Sequence, residues 1–550
     1  MSSPPAPWPH PPVAVLGAGP VGQTTALLLA RWGVPAVVLD LRPARDAVGS
    51  RAICQQRDVL DVWESVGAGR RIADEGLTWT TARTFHRDDE LFSHTFTEPG
   101  APAFPPFVNL SQSRTEQILD EVIAAQPLVD VRWDHRVVHV GQDGGGVTVR
   151  CATASGEVVL RAPFLVVCGG ARSEDVRSRL GVRFEGRGFD DRFLICDIRA
   201  DLPGWAAERR FHFDPTWLDT TSSAGRQVLI HPCPDSTFRI DWQVPASFDL
   251  DAEAASGALD ERIRRIVGDT AYEIVWMSVY RFQSRCADRM RRGRVLIAGD
   301  AAHLFSPFGA RGLNSGVADA ENAAWKIAWV GRGWAPERLL ESYHDERHAA
   351  AGENLAVTTA TMDFLVPQDE RAARHRAAVL AAAAVDPAAR ARVDSGRLAE
   401  PFWYVDSPLT TPDPTRPFRG RPPRGQVHPA GPGVLLPDAP VTVPGGGPVR
   451  IRELARDGFL LLTAGDAEPA RRAAAAVAGP ARVLALPEVD PGGTLTAALA
   501  ARPGEVWVVR PDAHVAAVLP RPSTAQIVAA LHRAVAHPEE VHDGALPASR

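Results

Sequence analysis

The chain is poor in cysteine and has no cysteine pair at the spacing of a metal site or a dithiol site. Its six cysteines are scattered, and none follows Cys286 in a sequence of 550 residues. Scattered thiols stay reduced in a cytosolic setting, so we interpret them as packing residues. No metal site is predicted, and the segment after Cys286 cannot carry out dithiol chemistry.

Long apolar runs and a strong excess of charge are also missing. No apolar run reaches membrane-spanning length, and residues 1–12 lack the charged-then-apolar order of a signal peptide. The net charge is −6, so neither nucleic acid nor an anionic membrane is indicated as a partner. With 45% hydrophobic and 23% charged residues, the chain is predicted to be a soluble cytoplasmic protein. Its length indicates roughly two to four domains.

A glycine motif lies near the N-terminus, between a predicted strand over residues 13–16 and a predicted helix over residues 23–32. Gly17, Gly19 and Gly22 have the G-x-G-x-x-G spacing that brings a pyrophosphate to a helix N-terminus. A second strand then ends in Asp40, where a ribose hydroxyl is expected. The predicted cofactor contacts here are Gly17, Gly19, Pro20, Val21, Gly22, Asp40, Leu41 and Arg42. This motif does not distinguish a nicotinamide from a flavin dinucleotide.

A second motif follows the predicted strand over residues 295–298. Gly299 and Asp300 form an acidic turn, and a glycine-rich loop leads to a helix whose first turn contains Gly312, Leu313 and Asn314. Free N–H groups and the positive end of the helix dipole favour a phosphate or an anionic ring there. Asp300 offers a carboxylate to a sugar-type hydroxyl. The alternative is a glycine-rich turn that only joins a strand to a helix.

The two motifs together resemble those of the FAD-dependent aromatic hydroxylases. These are single-component monooxygenases similar to p-hydroxybenzoate hydroxylase, and the likeness is to the hydroxyphenylpropionate and polyketide-tailoring branch. The resemblance implies an α/β fold: a Rossmann-type FAD-binding domain, an interleaved β-sheet substrate domain and a C-terminal thioredoxin-like domain. The implied segments are a disordered tail (1–12), the FAD-binding domain (13–182 and 286–365), the substrate-binding sheet domain (183–285), a helical segment and Pro/Gly-rich linker (366–448) and the thioredoxin-like domain without C-x-x-C (449–550).

The resemblance also implies site residues beyond the two motifs. An arginine at the position of Arg51 and a glutamine at that of Gln112 approach the flavin in the family, and Pro307 and Phe308 would form the wall beside the flavin ring. The candidate pocket residues are Phe213, Trp217, His231 and Trp242. His231 is the candidate acceptor of a phenolic proton. Aromatic side chains on strands also build cores, and His231, Arg51 and Gln112 have ordinary structural alternatives.

The implied reaction is hydroxylation of an aromatic small molecule. The implied biological context is secondary metabolism. NADH or NADPH reduces non-covalent FAD, O₂ forms a flavin C4a-hydroperoxide, and one oxygen atom passes to an electron-rich ring. No membrane span is expected, and a homodimer is possible with the C-terminal domain as a packing or dimer element.

The chain departs from the family's Asp-Gly motif after the apolar strand over residues 164–167. Gly169 replaces the aspartate of that motif, and one extra residue precedes Val176. In the family this motif is associated with both FAD and the nicotinamide cofactor, so we expect slow hydride transfer to the flavin. The alternatives to a monooxygenase are a flavin-dependent dehydrogenase, a non-redox cyclase or a flavin-holding structural protein.

Overall fold

The predicted strand that begins at Val13 is present in the protein and is central to its fold. The computed structural model describes residues 7–46, 52–96, 100–218, 226–423, 426 and 428–538. The first strands are β1 (Val13–Leu16), β2 (Ala36–Leu39), β3 (Cys54–Gln56), β4 (Leu77–Trp79), β5 (Thr81–His86), β6 (Asp89–Thr95), β7 (Phe107–Asn109), β8 (Val129–Arg132), β9 (Arg136–Asp143), β10 (Gly146–Thr153), β11 (Gly156–Ala162) and β12 (Leu165–Val167). The helices among them are α1 (Pro20–Arg31), α2 (Arg57–Glu64), α3 (Gly69–Glu75), α4 (Gln112–Ala124) and α5 (Glu174–Arg179).

The middle of the chain contains the longest elements. Its strands are β13 (Phe184–Ala200), β14 (Glu208–Phe213), β15 (Gln227–Cys233), β16 (Thr237–Val244), β17 (Tyr272–Ala287), β18 (Arg291–Arg292), β19 (Val295–Ile297) and β20 (His303–Leu304). Its helices are α6 (Leu250–Ser256), α7 (Ala258–Val267), α8 (Arg311–Gly331), α9 (Glu341–Leu365) and α10 (Glu370–Val385).

The C-terminal part forms a further α/β layer. Its strands are β21 (Pro440–Thr442), β22 (Pro448–Arg450), β23 (Phe459–Thr463), β24 (Ala481–Ala485), β25 (Glu505–Val509) and β26 (Val515–Pro520). Its helices are α11 (Ile451–Ala455), α12 (Glu468–Ala475), α13 (Leu486–Val489), α14 (Thr494–Leu499) and α15 (Thr524–Ala534).

A six-stranded sheet carries both glycine motifs. Its order is β18-β19-β12-β1-β2-β8, and all strands except β18 run parallel. The strands are apolar throughout because both faces are covered, so Val15, Val166 and Leu296 are fully buried. From β1 the chain passes through α1 to β2 on one side, while β12 lies on the other side. A crevice therefore opens at the carboxyl ends of β1 and β12, which is where such sheets bind ligands.

An eight-stranded, mainly antiparallel sheet forms the second layer. Its order is β20-β17-β13-β16-β15-β14-β5-β6. The predicted substrate segment, 183–285, supplies five of its eight strands, and β5, β6 and β20 complete it. The sequence boundary was therefore too narrow, since the edge of this sheet is built from residues far away in the chain. One face packs against α7, and we call the other face, which contacts Phe308 and α9, the inner face.

The C-terminal layer has a four-stranded sheet with the order β24-β23-β25-β26. Strands β23 and β24 are parallel, whereas β25 runs antiparallel to both β23 and β26. Trp325 and Trp329 of α8 are buried against Phe459 and Leu461 of β23. The C-terminal layer therefore shares an apolar core with the helix that begins the second motif. The segment expected to be a linker is also packed, since Tyr404 and Leu436 are buried.

The described residues contain neither a membrane-spanning helix nor a cluster of metal-ligand side chains. No helix in these ranges combines the length and the apolar character needed to cross a membrane. Within the same ranges, no group of three or more His, Cys, Asp and Glu side chains is arranged to hold a metal ion.

Candidate functional site

The two glycine motifs meet at the carboxyl edge of the six-stranded sheet. A Cβ atom on Gly299 would lie 3.1 Å from Cγ2 of Val21, and one on Gly316 would lie 2.6 Å from the same atom. The first turn of α1 is thus packed directly against the turn after β19 and the first part of α8. The tertiary structure brings together the residues that the sequence assigned to one cofactor.

The turn between β1 and α1 has the shape of a phosphate cradle. A Cβ atom on Gly22 would lie 1.9 Å from the Gly17 carbonyl oxygen, so the helix can begin this close to the strand only with glycine. A Cβ atom on Gly19 would meet no atom within 4 Å. No side chain caps the N-terminus of α1, which begins with Pro20, so the N–H groups of Val21 and Gly22 have no side-chain cap. These residues fit the pyrophosphate of a dinucleotide.

Asp40 lies beside this cradle, at the end of β2. Its carboxylate accepts the N–H of Ala18 at 2.7 Å and the N–H of Arg42 at 2.9 Å, and it pairs with the Arg42 guanidinium. Burial alone raises the pKa of Asp40, but these hydrogen bonds outweigh it and hold the pKa below its ordinary value. Asp40 is therefore ionised at the predicted ribose position, and Leu41 beside it is 62% exposed.

The turn at Gly299 and Asp300 is held from below by a buried carboxylate. Asp319 of α8 accepts the Gly299 N–H at 2.9 Å, lies 2.7 Å from His303 Nε2 and accepts Arg347 Nε at 2.6 Å. Burial raises the pKa of Asp319, but His303 and Arg347 outweigh it and keep the carboxylate ionised. Sequence reasoning missed Asp319. The available signal was a carboxylate on the apolar face of a helix, which is a group that needs buried partners.

The first turn of α8 lies beside open space at Gly312 and is bonded to β3 through Asn314. A Cβ atom on Gly312 would meet nothing within 4 Å, and no side chain caps this helix N-terminus. The Asn314 side chain accepts the Gln56 N–H at 3.0 Å and donates to the Cys54 carbonyl at 3.0 Å. Asn314 thus clamps β3 to α8, while Leu313, next to it, is buried. The main-chain N–H groups of this turn fit an anionic ring.

Gln112 is the first residue of α4. Its Oε1 accepts the Ala52 N–H at 3.2 Å, and its Nε2 donates to Glu116 at 2.8 Å. These bonds fix the chain immediately after Arg51. Arg51 itself lies outside the described residues, so its predicted contact with the flavin stays a prediction.

The loop before α8 contacts the inner face of the eight-stranded sheet. Pro307 is exposed, whereas Phe308 is buried with its ring 5.2 Å from that of Phe193 and 6.0 Å from that of Phe211. Phe213 lies on the same face, 4.8 Å from Phe211. An apolar wall therefore stands next to the loop that was predicted to flank the flavin ring.

A polar row crosses the same face beside this wall. His231 on β15 is paired in register with Arg239 on β16, and Arg239 is paired with Asp197 on β13. Arg239 and Asp197 form a buried bidentate ion pair at 2.7 and 2.8 Å. Burial lowers the pKa of His231 well below its ordinary value, so its ring is neutral. His231 therefore lies on the inner face, and its role as a pocket residue stays a prediction.

Asp241 is the functional candidate that the sequence reasoning did not single out. It lies on the inner face in register with Leu229, one step from the polar row, and is partly exposed. Its Oδ1 has no hydrogen-bond partner among the described residues. Burial, opposed by Arg239, raises the pKa of Asp241 to about 7. A carboxyl group with such a pKa can exchange a proton near neutral pH.

The two predicted pocket tryptophans lie on the opposite face, and this corrects the sequence interpretation. Trp242 is fully buried against Leu259 and Ile263 of α7. Trp217 packs into the same cluster and lies 5.7 Å from His212. Strand side chains alternate between the two faces, so Trp242 points away from its neighbour Asp241.

A cavity of about 140 Å³ lies at the edge of the polar row. Arg209 of β14 borders it together with Gln56, Thr84, Phe107 and Ser395. Arg209 also donates to the Ser395 carbonyl at 3.2 Å. The cavity therefore extends the inner face toward β3 and the segment after α10.

The altered motif after β12 is tightly packed. A Cβ atom on Gly169 would lie 2.8 Å from Ser173 Oγ, so a side chain there would displace Ser173. Arg177, which follows the extra residue, donates to the Ala301 carbonyl at 3.0 Å and covers the Phe184 ring at 4.1 Å. This segment thus braces the Asp300 turn without offering a carboxylate at position 169.

Comparisons with known proteins agree with this geometry. Residues 10–358 match the family described as FAD binding domain, and residues 428–538 match the family described as aromatic-ring hydroxylase, C-terminal. The chain is 31% identical to 6-methylpretetramide 4-monooxygenase of Streptomyces rimosus, over 97% of this chain and 95% of that protein. It is 34% identical to dialkyldecalin synthase of Streptomyces rugosporus, over 63% of this chain and 72% of that protein.

A solved structure shows the same architecture. The ternary complex of aklavinone-11 hydroxylase with FAD and aklavinone matches with a TM-score of 0.74 and 25% identity, covering 96% of this chain and 99% of that one. The FAD-binding match alone spans more than half of the chain, and the monooxygenase from Streptomyces rimosus matches along nearly all of it. The chain therefore belongs to the FAD-binding aromatic-ring hydroxylases and is an FAD-dependent monooxygenase.

Proposed function

We propose that this protein hydroxylates a phenolic or polyketide-type aromatic molecule, with NADH or NADPH and O₂ as co-substrates. The observation that carries the proposal is the inner face, where an apolar wall around Phe308 lies next to a polar row containing His231, Arg239 and Asp197. A flat ring with hydroxyl groups needs both kinds of surface. In the net reaction one oxygen atom of O₂ enters the ring, and the other leaves as water with two electrons from the nicotinamide.

In this proposal the two motifs hold FAD without a covalent bond. The N–H groups at the start of α1 would hold the pyrophosphate, and Asp300 would hold a ribityl hydroxyl. The N–H groups of Gly312 to Asn314 stabilise negative charge on the ring system. When bound, FAD supplies the chemistry of electron transfer from the nicotinamide and of oxygen transfer to the substrate.

The substrate is oriented by the inner face. A flat ring would lie beside the buried cluster of Phe308, Phe193 and Phe211, and Asp241 would accept the proton of a phenolic hydroxyl. The positive charges of Arg239 and Arg209, which act on Asp241, also favour a phenolate oxygen beside it. Loss of that proton enriches the ring in electrons and favours oxygen transfer to carbon. His231, neutral and with no partner for Nδ1 among the described residues, is the second candidate for this proton.

The C-terminal layer is, in this proposal, a thioredoxin-like domain without redox function. The strand order β24-β23-β25-β26, with one parallel and two antiparallel pairs, supports that assignment. No cysteine follows Cys286.

A second candidate function is a cyclisation that uses FAD without activating O₂. It is favoured by the glycine at position 169 and by the similarity to a dialkyldecalin synthase. Incubation with a phenolic polyketide, NADH or NADPH, and ¹⁸O₂ separates the two functions. We expect substrate-dependent O₂ uptake and one ¹⁸O atom in the product. A product formed under argon without oxidation of the nicotinamide would establish the cyclase instead.

A further inference from the structure

We propose that the C-terminal domain positions the flavin, and that Arg510 is the positioning residue through which it does so. Arg510 directly follows β25 and is fully buried. It belongs to the short segment Val508 to Asp512, which the FAD site itself does not use. A chain of buried polar contacts leads from Arg510 to the turn at Gly299 and Asp300. The proposal depends on FAD binding and not on which substrate is oxidised.

The first half of this chain links the C-terminal domain to α9. Arg510 Nη2 lies 3.0 Å from Glu346 Oε2 on α9, and Arg510 Nε lies 3.1 Å from Asp512 Oδ1. Lys326 of α8 contacts Glu346 at 2.6 Å. Burial raises the pKa of Glu346, but Arg510 and Lys326 outweigh it and hold the pKa well below its ordinary value. Glu346 is thus a buried carboxylate that must have cations beside it.

The second half links α9 to the flavin turn. Arg347, the residue after Glu346, donates to Asp319 at 2.6 Å and to the Tyr404 hydroxyl at 2.9 Å. Asp319 accepts the Gly299 N–H at 2.9 Å. The Arg510 guanidinium lies 5.0 Å from the Tyr404 ring, which gives a second connection between the two halves. A shift of α9 at Glu346 therefore moves Arg347 and loosens the support of Gly299.

The network pairs equal numbers of positive and negative side chains and is buried. Its three cations, Lys326, Arg347 and Arg510, face three anions, and all six side chains belong to residues at most 2% exposed. The three anions are Asp319, Glu346 and Asp512. Removing Arg510 leaves an excess negative charge in a region of low dielectric. Arg347 is then drawn toward Glu346 and Asp512, and its bond to Asp319 weakens.

The planar fork of arginine matters at this position. Arg510 contacts two carboxylates at once: Nη1 and Nη2 contact Glu346, and Nε and Nη2 contact Asp512. A lysine has one ammonium group and cannot bridge both carboxylates in this geometry. Arg510→Lys should therefore restore the net charge but only part of the positioning.

A matched control exists on the same interface. Arg456 of the C-terminal domain is also buried and pairs with Glu321 of α8 at 2.7 Å. Among the described residues, no hydrogen bond joins Glu321 to Asp319 or Arg347, and Glu321 meets the network through the charge of Asp512. Arg456→Gln therefore removes a cross-domain ion pair of the same type while leaving the connection to Gly299 in place.

The test compares Arg510→Gln, Arg510→Lys and Arg456→Gln in the full-length protein. The dissociation constant of FAD is measured by flavin fluorescence, and the melting temperature of the FAD-free protein by calorimetry. We expect both glutamine variants to lower the melting temperature. Arg510→Gln should weaken FAD binding about tenfold and Arg510→Lys by less, whereas Arg456→Gln should change it less than about twofold. Equal losses of FAD affinity in the two glutamine variants would overturn the proposal.

A double-mutant cycle tests the connection itself. Arg510→Gln and Asp319→Asn should be non-additive in FAD affinity, because both interrupt one network, whereas Arg456→Gln and Asp319→Asn should be additive. If Arg510→Gln does not fold, hydrogen exchange of the Gly299 amide in Arg510→Lys decides. Faster exchange than in the parent is expected, and unchanged exchange would refute the inference. None of these readouts uses turnover, so a failure of the proposed hydroxylation would leave the result intact.

Discussion

Val21 in the first turn of α1 and Gly316 in α8 are packed so closely that a Cβ atom on Gly316 would lie 2.6 Å from Val21 Cγ2. This contact joins two motifs that are far apart in the sequence. It sets the N-termini of both helices side by side at the edge of one sheet. A dinucleotide can then be held at both of its ends by main-chain N–H groups.

Gly316→Ala should separate α1 from α8. The added methyl group has no room beside Val21, so we expect a loss of about 1 to 3 kcal/mol in unfolding free energy and a lower FAD content. Gly352→Ala in α9 is the control, because a Cβ atom there meets nothing within 4 Å. That substitution should be neutral or slightly stabilising. Calorimetry and the absorbance ratio of flavin to protein measure both effects, and equal behaviour of the two variants would contradict the close packing.

Asp300→Ala should lose most of the bound FAD. In the proposed site the carboxylate hydrogen-bonds a ribityl hydroxyl, and such a bond contributes about 1.5 to 3 kcal/mol, or roughly ten- to hundredfold in affinity. Asp130→Ala, which removes an exposed carboxylate of β8 paired only with Arg132 in the described structure, is the control. The dissociation constant of FAD is the measurement. A parent-like value for Asp300→Ala would mean that the flavin lies elsewhere.

Asp241 should make the stability of the protein depend on pH. Burial raises its pKa from 3.8 to about 7, so the folded state holds a proton that the unfolded chain has released. Stability is therefore highest below the unfolded pKa and falls as the pH rises toward about 7. Asp241→Asn should remove this loss, on the order of 2 to 4 kcal/mol at alkaline pH. Melting temperatures between pH 5 and 9 test this, with Asp130→Asn as a variant that should follow the parent.

The same group should appear in the kinetics of the proposed hydroxylation. If Asp241 accepts the phenolic proton, kcat/KM for the aromatic substrate rises with pH and levels off above about 7. Asp241→Asn should lower kcat/KM about 10²-fold or more and abolish its rise with pH. If the rise of kcat/KM with pH persists unchanged in Asp241→Asn, another group accepts the phenolic proton. His231→Asn is then the next variant to measure.

Gly169 should make reduction of the flavin slow without lowering FAD content. The aspartate that the family motif has at this position is replaced by glycine, while the two FAD motifs are present in the sequence. A Cβ atom at position 169 would lie 2.8 Å from Ser173 Oγ, so an aspartate needs that space cleared. We expect Gly169→Asp combined with Ser173→Ala to be reduced about tenfold faster than Ser173→Ala alone. Stopped-flow reduction by NADH and NADPH, with and without substrate, measures this, and fast reduction of the parent would show that Gly169 is not limiting.

Much of the site could be predicted because its determinants are local. Gly17, Gly19 and Gly22 encode a turn through backbone geometry, and the apolar run before them encodes a buried strand. The same holds for Gly299 and the start of α8. Such signals depend on neighbours in the sequence, so they were readable before any long-range contact was known.

The strand pattern alone did not decide which side chains face the site. Alternation separates Asp241 from Trp242, but it does not tell which of the two faces is covered by α7. The large aromatic side chain of Trp242 was the plausible pocket residue, yet it packs against α7, and the carboxylate of Asp241 lies on the inner face. Only the docking of Ser306 to Ala310 onto the sheet made that face the inner one.

The sequence by itself determined the strand–turn–helix units, the glycine cradle and the absence of dithiol chemistry, because each follows from the residue types within a short segment. Tertiary structure decided the partners of the buried charges. Asp319, Glu346 and Arg510 come from separate elements, and no spacing in the sequence relates them. A buried charge is stable only beside an opposite charge. The structural role of a buried charged residue therefore depends on which distant residue the fold brings next to it.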